Sequence, residues 1–151
     1  MKLGVICDGI SRDLRHALKV MDEFGLDYAE LQFVWDKEVG DHDASEITQI
    51  KELLEKHNKP VSCLSRHIFA GLTTASKAGD KDHTRHMDYL KCVIEMAHQL
   101  NCPLVRIMTS KKEQILWGTN GAEHWNVAKG AWDTLPPLIA PAVDLARTEG
   151  V

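Results

Sequence analysis

The segment YAELQFV (residues 28–34) decides the fold, because its apolar and polar side chains alternate. Alternate residues of a β-strand face opposite sides, so Glu30 and Gln32 share one face and Ala29, Leu31 and Phe33 share the other. Strands of an open sheet covered by helices on both faces tend to be continuous apolar runs. A strand with one apolar and one polar face therefore favours a barrel whose helices cover only the outer side.

The same pattern recurs in three other predicted strands, at residues 2–7, 60–66 and 104–110. Each of them carries polar side chains near its carboxyl end, namely Asp8, Ser65, His67 and Arg106. In a parallel barrel the carboxyl ends of the strands form the mouth where active sites are built. The sequence therefore predicts a polar mouth.

Helices are predicted between these strands at residues 11–24, 44–57 and 81–100, from apolar residues at helical spacing. Ser11 is the predicted N-cap of the first helix, and Asp43 with Glu46 forms a predicted capping box for the second. A loop is expected at residues 111–126.

Prolines divide the last predicted helical region. Residues 127–135 form a short helix in this interpretation, Pro136 and Pro137 break it, and a second helix covers residues 137–150. Pro141 is tolerated only near the first turn of that helix.

Strands that alternate with helices imply parallel pairing through right-handed crossovers. A complete (β/α)₈ barrel needs about 250 residues, or roughly 30 for each strand–helix unit. Four such units in 151 residues match the unit length and half the number of units. The predicted fold is thus α/β, a single domain over residues 1–151 with four βα units of a TIM barrel, that is, an N-terminal half-barrel.

Composition narrows the function classes. The net charge of −4 gives no basic surface for nucleic acid, and no apolar run is long enough for a membrane span. The start of the chain does not resemble a secretory signal, and the four cysteines are widely spaced, which favours reduced thiols and a cytoplasmic location. No glycine-rich fingerprint of a dinucleotide site follows the first strand.

The chain resembles the N-terminal half of the sugar phosphate isomerase/epimerase family, whose barrel is xylose-isomerase-like. The matching stretches are MKLGVICDGIS (1–11), FGLDYAELQFVW (24–35), PVSCLSRHI (60–68), HMDYLKCVIEMAHQLNCPLVRIMTS (86–110) and PLIAPAVDLARTEGV (137–151). The superfamily includes hydroxypyruvate isomerases, ketose 3-epimerases and type IV endonucleases.

The resemblance implies carbohydrate chemistry on a sugar or sugar phosphate, with proton transfer through an enediolate. Intact relatives use a divalent metal (Mn, Mg, Zn or Co), whose ligands lie on strands that would follow EGV (149–151). We therefore expect a half-barrel that ends before its metal-binding strands, is inactive alone and binds no metal tightly. The alternative is a non-catalytic half-barrel that forms a homodimer or completes a barrel with a partner chain. An endonuclease IV-like nuclease ranks third.

The resemblance also assigns candidate site residues. Glu30 and His67 are the catalytic candidates, and Arg106, Ser65 and Trp117 are the substrate-binding candidates. Four of them have a structural alternative: Glu30 and Arg106 as an ion pair in the lumen, His67 as a strand-end residue, and Trp117 as a loop anchor.

Three further residues receive structural interpretations. Asp8 is expected to cap the turn that follows it. His83 and His86 lie one helical turn apart, a spacing that suits a metal, but a solvated helix end is the favoured interpretation.

Overall fold

A computed structural model describes residues 1–73, 75–109 and 131–151. Its main sheet is parallel and has the strand order β1-β2-β5-β6. The strands are β1 (Gly4–Ile6), β2 (Tyr28–Leu31), β5 (Val61–Ser65) and β6 (Val105–Arg106). The helices are α1 (Leu14–Glu23), α2 (Ala44–Lys56), α3 (Lys81–Gln99) and α4 (Ala131–Glu149). The predicted class, a parallel α/β fold consistent with part of a TIM barrel, is confirmed.

The register of the parallel strands places the polar residues at the end of the sheet where the strands have their carboxyl ends. Ile6 lies beside Glu30 in the β1–β2 pair, and Ser65 lies beside Arg106 in the β5–β6 pair. The ladder between β2 and β5 shifts between Ala29 and Glu30. The opposite face of β2 is core, since Ala29 and Leu31 are fully buried, whereas Glu30 is partly exposed.

The start of α1 differs from the prediction, and that of α2 agrees with it. Asp13 is the N-cap of α1 and accepts a hydrogen bond from the Arg15 N–H, while Ser11 Oγ accepts one from the Asp13 N–H. Ser11 therefore lies two residues before the N-cap and accepts a hydrogen bond from it. Asp43 and Glu46 form the predicted capping box at the start of α2.

The predicted strand over residues 28–34 ends early, and a small hairpin follows it. The hairpin pairs β3 (Phe33–Val34) with β4 (Lys37–Glu38) in antiparallel fashion, around a turn in which Trp35 has φ 55°. The Phe33 N–H donates to Asp8 Oδ1 at 3.3 Å. Asp8 therefore binds the start of this hairpin, whereas the sequence predicted that it caps the turn that follows it.

Helix α4 is continuous, which corrects the prediction of two helices separated by prolines. Pro136, Pro137 and Pro141 all lie inside it. Each proline removes one backbone donor from the helix. Burial of Leu138 and Ala142 and packing against α3 outweigh that loss, since helix stability in proteins comes mostly from tertiary packing.

The histidines at the start of α3 are buried, so the prediction of a solvated helix end is wrong. His83 is 3% exposed and His86 is 8% exposed. His83 Nε2 donates to the Leu138 carbonyl of α4 at 2.9 Å, and His86 Nδ1 accepts from the Phe69 N–H at 3.1 Å. His83 Nδ1 also accepts from the Gly79 N–H, so three of the four ring nitrogens have main-chain partners, which offsets the cost of burying these rings.

None of the helices in the described parts of the chain has both the length and the apolar character that a membrane crossing requires.

Candidate functional site

Three polar side chains meet where the strands β2, β5 and β6 end. The Ser65 hydroxyl donates to Glu30 Oε1, and Arg106 Nη1 lies 3.6 Å from the same oxygen. Ser65 is fully buried, whereas the Glu30 and Arg106 side chains keep 26% and 37% of their surface. In this Glu30 group, Ser65 therefore fixes a carboxylate that stays accessible beside an accessible guanidinium.

A second group is centred on His67, two residues beyond β5. Its side chain is 45% exposed. Nδ1 of the ring lies 2.7 Å from Glu38 Oε1, and the His67 main-chain N–H donates to that oxygen at 2.9 Å. Gln32 Nε2 lies 3.0 Å from His67 Nε2 and 3.3 Å from Nδ1. An ionised carboxylate only accepts, so Nδ1 carries the proton and donates it to Glu38. The Gln32 amide nitrogen is close to both ring nitrogens and therefore lies near the face of the ring.

Arg66 anchors this His67 group to the protein interior. Its side chain is 6% exposed, and its Nε lies 3.6 Å from Glu38 Oε2. Nη1 donates to the Val39 carbonyl and to Asp41 Oδ1, both at 2.7 Å, and Nη2 donates to Asp41 Oδ2 at 3.0 Å. The guanidinium also lies 4.3 Å from the centre of the Tyr89 ring. A buried arginine with several hydrogen bonds of this kind fixes the β3–β4 hairpin against β5 and α3.

An aromatic side chain borders the His67 group. The Phe33 ring centre lies 6.2 Å from that of His67, and the Arg12 guanidinium lies 4.7 Å from the Phe33 ring centre. The exposed imidazole therefore has an apolar ring on one side and hydrogen-bonding partners on the other.

Cys7 lies behind the mouth and is buried. Burial, together with the negative charges of Asp8 and Glu30, raises the pKa of Cys7 to about 12. At neutral pH this residue is a protonated thiol whose sulfur contacts Met21 Sδ at 3.8 Å. It is therefore a packing residue and not a nucleophile.

The structure brings most of the sequence-derived candidates to one end of the sheet. Glu30, Ser65 and Arg106 are in mutual contact, and the ion pair between Glu30 and Arg106 is present as the structural alternative expected. His67 belongs to the neighbouring group. Trp117 lies outside the described residues.

Sequence reasoning missed Glu38 and Arg66. The signal for Glu38 was the stretch VWDKEVG (34–40), a possible hairpin around Asp36, but it was not separated from the preceding strand. Arg66 stands directly before His67 and received no role, because its salt bridges reach residues 25 to 28 positions away in the chain.

The described residues do not fit a metal ion by themselves. Over residues 1–73, 75–109 and 131–151, no three side chains of His, Cys, Asp or Glu come together in a way that would hold one. The Glu30 carboxylate faces Arg106 and Ser65, and the Glu38 carboxylate faces Arg66 and His67.

A family model described as xylose isomerase-like TIM barrel matches residues 18–151. The chain belongs to this family. A search among curated proteins gives no significant sequence match.

Solved structures agree with this membership. The fold resembles 3-keto-D-glucoside 4-epimerase from E. coli in its apo form, with a TM-score of 0.61 and 10% identity, over 99% of this chain and 52% of that one. It also resembles a xylose isomerase-like TIM barrel protein from Mycobacterium smegmatis in complex with magnesium, with a TM-score of 0.57 and 17% identity, over 91% of this chain and 44% of that one. The chain spans about half the length of these two structures.

Proposed function

We propose that this chain supplies the first half of the mouth of a sugar isomerase or epimerase that works by proton transfer. The observation that carries the proposal is that Ser65 and Arg106 both approach one carboxylate oxygen of Glu30, beside the exposed His67. Family membership and the epimerase among the structural neighbours support the same chemistry.

The Glu30 group suits the binding of a hydroxylated carbonyl compound. Arg106 offers a positive charge and N–H donors to the oxygen of a carbonyl, an enediolate or a phosphate. Glu30 accepts hydrogen bonds from sugar hydroxyls, and Ser65 keeps the carboxylate in place.

Proton transfer needs an acceptor near the reacting carbon. A positioned carboxylate or imidazole is the usual general base, and Glu30 and His67 are the two accessible candidates at this mouth. A base removes the proton next to the carbonyl to form an enediolate. Returning the proton to the other face of the same carbon gives the epimer. Returning it to the former carbonyl carbon, while the hydroxyl proton passes to the former carbonyl oxygen, gives the isomer. The substrate is thus an α-hydroxy ketone or aldehyde of sugar size.

The test is a titration of the ¹⁵N-labelled chain with 3-ketoglucosides, ketoses and aldoses, followed by NMR. Saturable shifts are expected at Glu30, Ser65, Arg106 and His67. Glu30→Gln removes a charged hydrogen bond of about 1.5–3 kcal/mol, so it weakens binding about tenfold or more. Glu95→Gln, on the exposed side of α3, is the matched control and leaves the affinity unchanged.

Deuterium incorporation from D₂O tests the proton transfer itself. Because the chain supplies only half of the mouth, a bound ketose is expected to exchange the hydrogen next to its carbonyl slowly, and the rate falls further in His67→Asn but not in the exposed control His16→Asn. Absence of any saturable shift at the mouth with all three classes of sugar would contradict the proposal.

Self-association is the second candidate, and the edges of the sheet favour it. The strands β1 and β6 form the two edges, and their flanking residues Leu3 and Leu104 are 49% and 58% exposed. Exposed apolar strand edges are ready surfaces for pairing with another chain. Two copies with four parallel strands each would supply the eight strands of a closed barrel.

Light scattering across a concentration series tests this second candidate. A dimer is expected that dissociates in Leu104→Lys, because a charge at the edge opposes burial. Phe24→Lys replaces an apolar residue at the end of α1 that is even more exposed, at 77% against 58% for Leu104, and leaves the dimer intact. A monomer at all concentrations would exclude it.

A further inference from the structure

We propose that Glu38 is the positioning residue of His67, and that it makes Nε2 of His67 an acceptor for a ligand hydroxyl. The role in ligand binding rests on the proposed function, whereas the state of the ring can be measured without any ligand. No comparison and no sequence motif pointed to Glu38, which comes from the small β3–β4 hairpin.

One oxygen of Glu38 fixes both the position and the protonation of His67. Oε1 accepts the main-chain N–H at 2.9 Å and lies 2.7 Å from Nδ1 of the ring. The first contact ties the residue to the hairpin, and the second orients the ring. The partner of one imidazole nitrogen sets which nitrogen carries the proton. Glu38 therefore holds the Nδ1-protonated form, which leaves the lone pair on Nε2.

Glu38 is itself held from the side opposite to His67. Its other oxygen, Oε2, lies 3.6 Å from Nε of the buried Arg66, which also binds the Val39 carbonyl of the hairpin. The main-chain N–H of Val39 donates to the Gln32 carbonyl at 2.9 Å. These contacts keep the carboxylate in register with His67, so the ring has little freedom to turn.

The lone pair on Nε2 indicates the chemical class of group that binds there. Gln32 places its amide nitrogen 3.0 Å from Nε2 and 3.3 Å from Nδ1, near the face of the ring, so it does not occupy the direction of this lone pair. A ligand group that bonds to the lone pair must be a donor, which a sugar hydroxyl is and a carbonyl or ionised phosphate oxygen is not. His67 therefore accepts a hydrogen bond from a ligand hydroxyl, and carbonyl or phosphate oxygens of the ligand bind beside Arg106.

The experiment is long-range ¹H–¹⁵N NMR of the chain labelled with ¹⁵N-histidine, with His67→Asn used to assign the ring signals. The wild-type chain is expected to show His67 protonated at Nδ1 alone. Glu38→Ala is expected to lose this single form and to give exchange between both tautomers. Glu38→Gln keeps an acceptor oxygen and is expected to restore the Nδ1-protonated form in part.

Two further variants separate positioning from general disruption. Gln32→Ala keeps Glu38 and is expected to leave Nδ1 protonated, and Glu95→Ala on exposed α3 leaves all His67 signals unchanged. An unchanged tautomer in both Glu38 variants, or a tautomer lost in Gln32→Ala, would overturn the inference. If Glu38→Ala does not fold, Glu38→Gln and Gln32→Ala decide the question by the same readout.

The same spectra distinguish the inference from the proposed function. A ketose that shifts Nε2 and leaves Nδ1 protonated supports both. A tautomer that depends on Glu38 in a protein that binds no sugar supports the positioning role and contradicts the proposed function. Inorganic phosphate, offered as a probe, is expected to shift Arg106 and not His67 Nε2; the reverse would contradict the assignment of a hydroxyl to His67.

Discussion

Two histidine environments in this protein differ in a way that separates structure from function. His83 and His86 lie under α4 and the loop after β5, almost fully buried, and three of their four ring nitrogens bond to main-chain atoms. His67 lies at the mouth with nearly half of its side chain exposed, and its partners are the side chains of Glu38 and Gln32. Buried rings with main-chain partners serve stability, whereas an exposed ring with side-chain partners is free to exchange one of them for a ligand.

The largest expected effect comes from removing the ring between the two buried histidines. Phe69 is fully buried, stacks on His83 with ring centres 5.4 Å apart and meets the edge of His86 at 5.9 Å. Phe69→Ala leaves a cavity and is expected to lower the free energy of unfolding by about 3–5 kcal/mol, measured by urea denaturation. Phe24→Ala, at a 77% exposed position, is the control and stays close to wild type. A loss for Phe69→Ala as small as that of the control would contradict the central place of this cluster.

Gly40 tests the connection between the two regions, since it joins the hairpin to α3. It has φ 91°, and a Cβ there would lie 2.8 Å from Val93 Cγ2 and 3.2 Å from the Val93 main-chain nitrogen. Gly40→Ala is expected to cost about 1–3 kcal/mol, because the backbone is strained and the neighbouring backbone cannot move away. It is also expected to displace Glu38 and so disturb the His67 ring signals.

The control for this variant is Gly9→Ala, where an added Cβ meets nothing within 4 Å. A Gly40→Ala protein with wild-type stability and unchanged His67 signals would show that the hairpin does not depend on α3 for its position.

The difference between local patterns and long-range contacts explains which site residues could be predicted from the sequence. Glu30, Ser65 and Arg106 were predictable because the two-residue period of strands puts them on one face, and parallel pairing brings the carboxyl ends of their strands together. Glu38 was not, because its contact with His67 depends on a hairpin whose pairing starts only where Asp8 takes the Phe33 N–H out of the main sheet. A local pattern predicts which face a residue occupies but not which distant group meets it.

The helical regions show the same limit. Local rules place a helix break at Pro136 and Pro137 and place solvent around polar residues such as His83 at a helix start. Both expectations fail for one reason: α4 packs over the start of α3, buries Leu138, and receives the hydrogen bond from His83 Nε2. Each of these two errors comes from the same long-range contact, which no single segment reveals.

A moderate effect is expected from pH, through His86. Burial, followed by the positive charge of Arg85, lowers the pKa of His86 in the folded protein. In the unfolded chain this group takes up a proton as the pH falls through about 6.5, whereas the folded protein resists protonation until a lower pH. The unfolded state thus binds more protons in that window, so the stability that is present above about pH 6.5 decreases as the pH falls.

The measurement is urea denaturation at a series of pH values from neutral to mildly acidic. His86→Gln is expected to flatten the part of the curve below about pH 6.5. His16→Gln, at an exposed position on α1, is the control and keeps the wild-type slope. An unchanged slope in His86→Gln would assign the acid sensitivity to another group.

The smallest effect on stability is expected at His67, and this result would make the comparison sharpest. Its ring is half exposed and its neighbours Glu38 and Gln32 remain accessible to water, so His67→Asn is expected to change the free energy of unfolding by about 0.5 kcal/mol or less. Sugar binding at the mouth is nevertheless expected to weaken, because the acceptor at Nε2 is lost. Binding is measured by the NMR titration and stability by urea denaturation of the same sample. If His67→Asn instead destabilises the chain by as much as Phe69→Ala and leaves sugar affinity unchanged, then His67 is a structural strand-end residue, like the buried pair, and the division between the two regions does not hold.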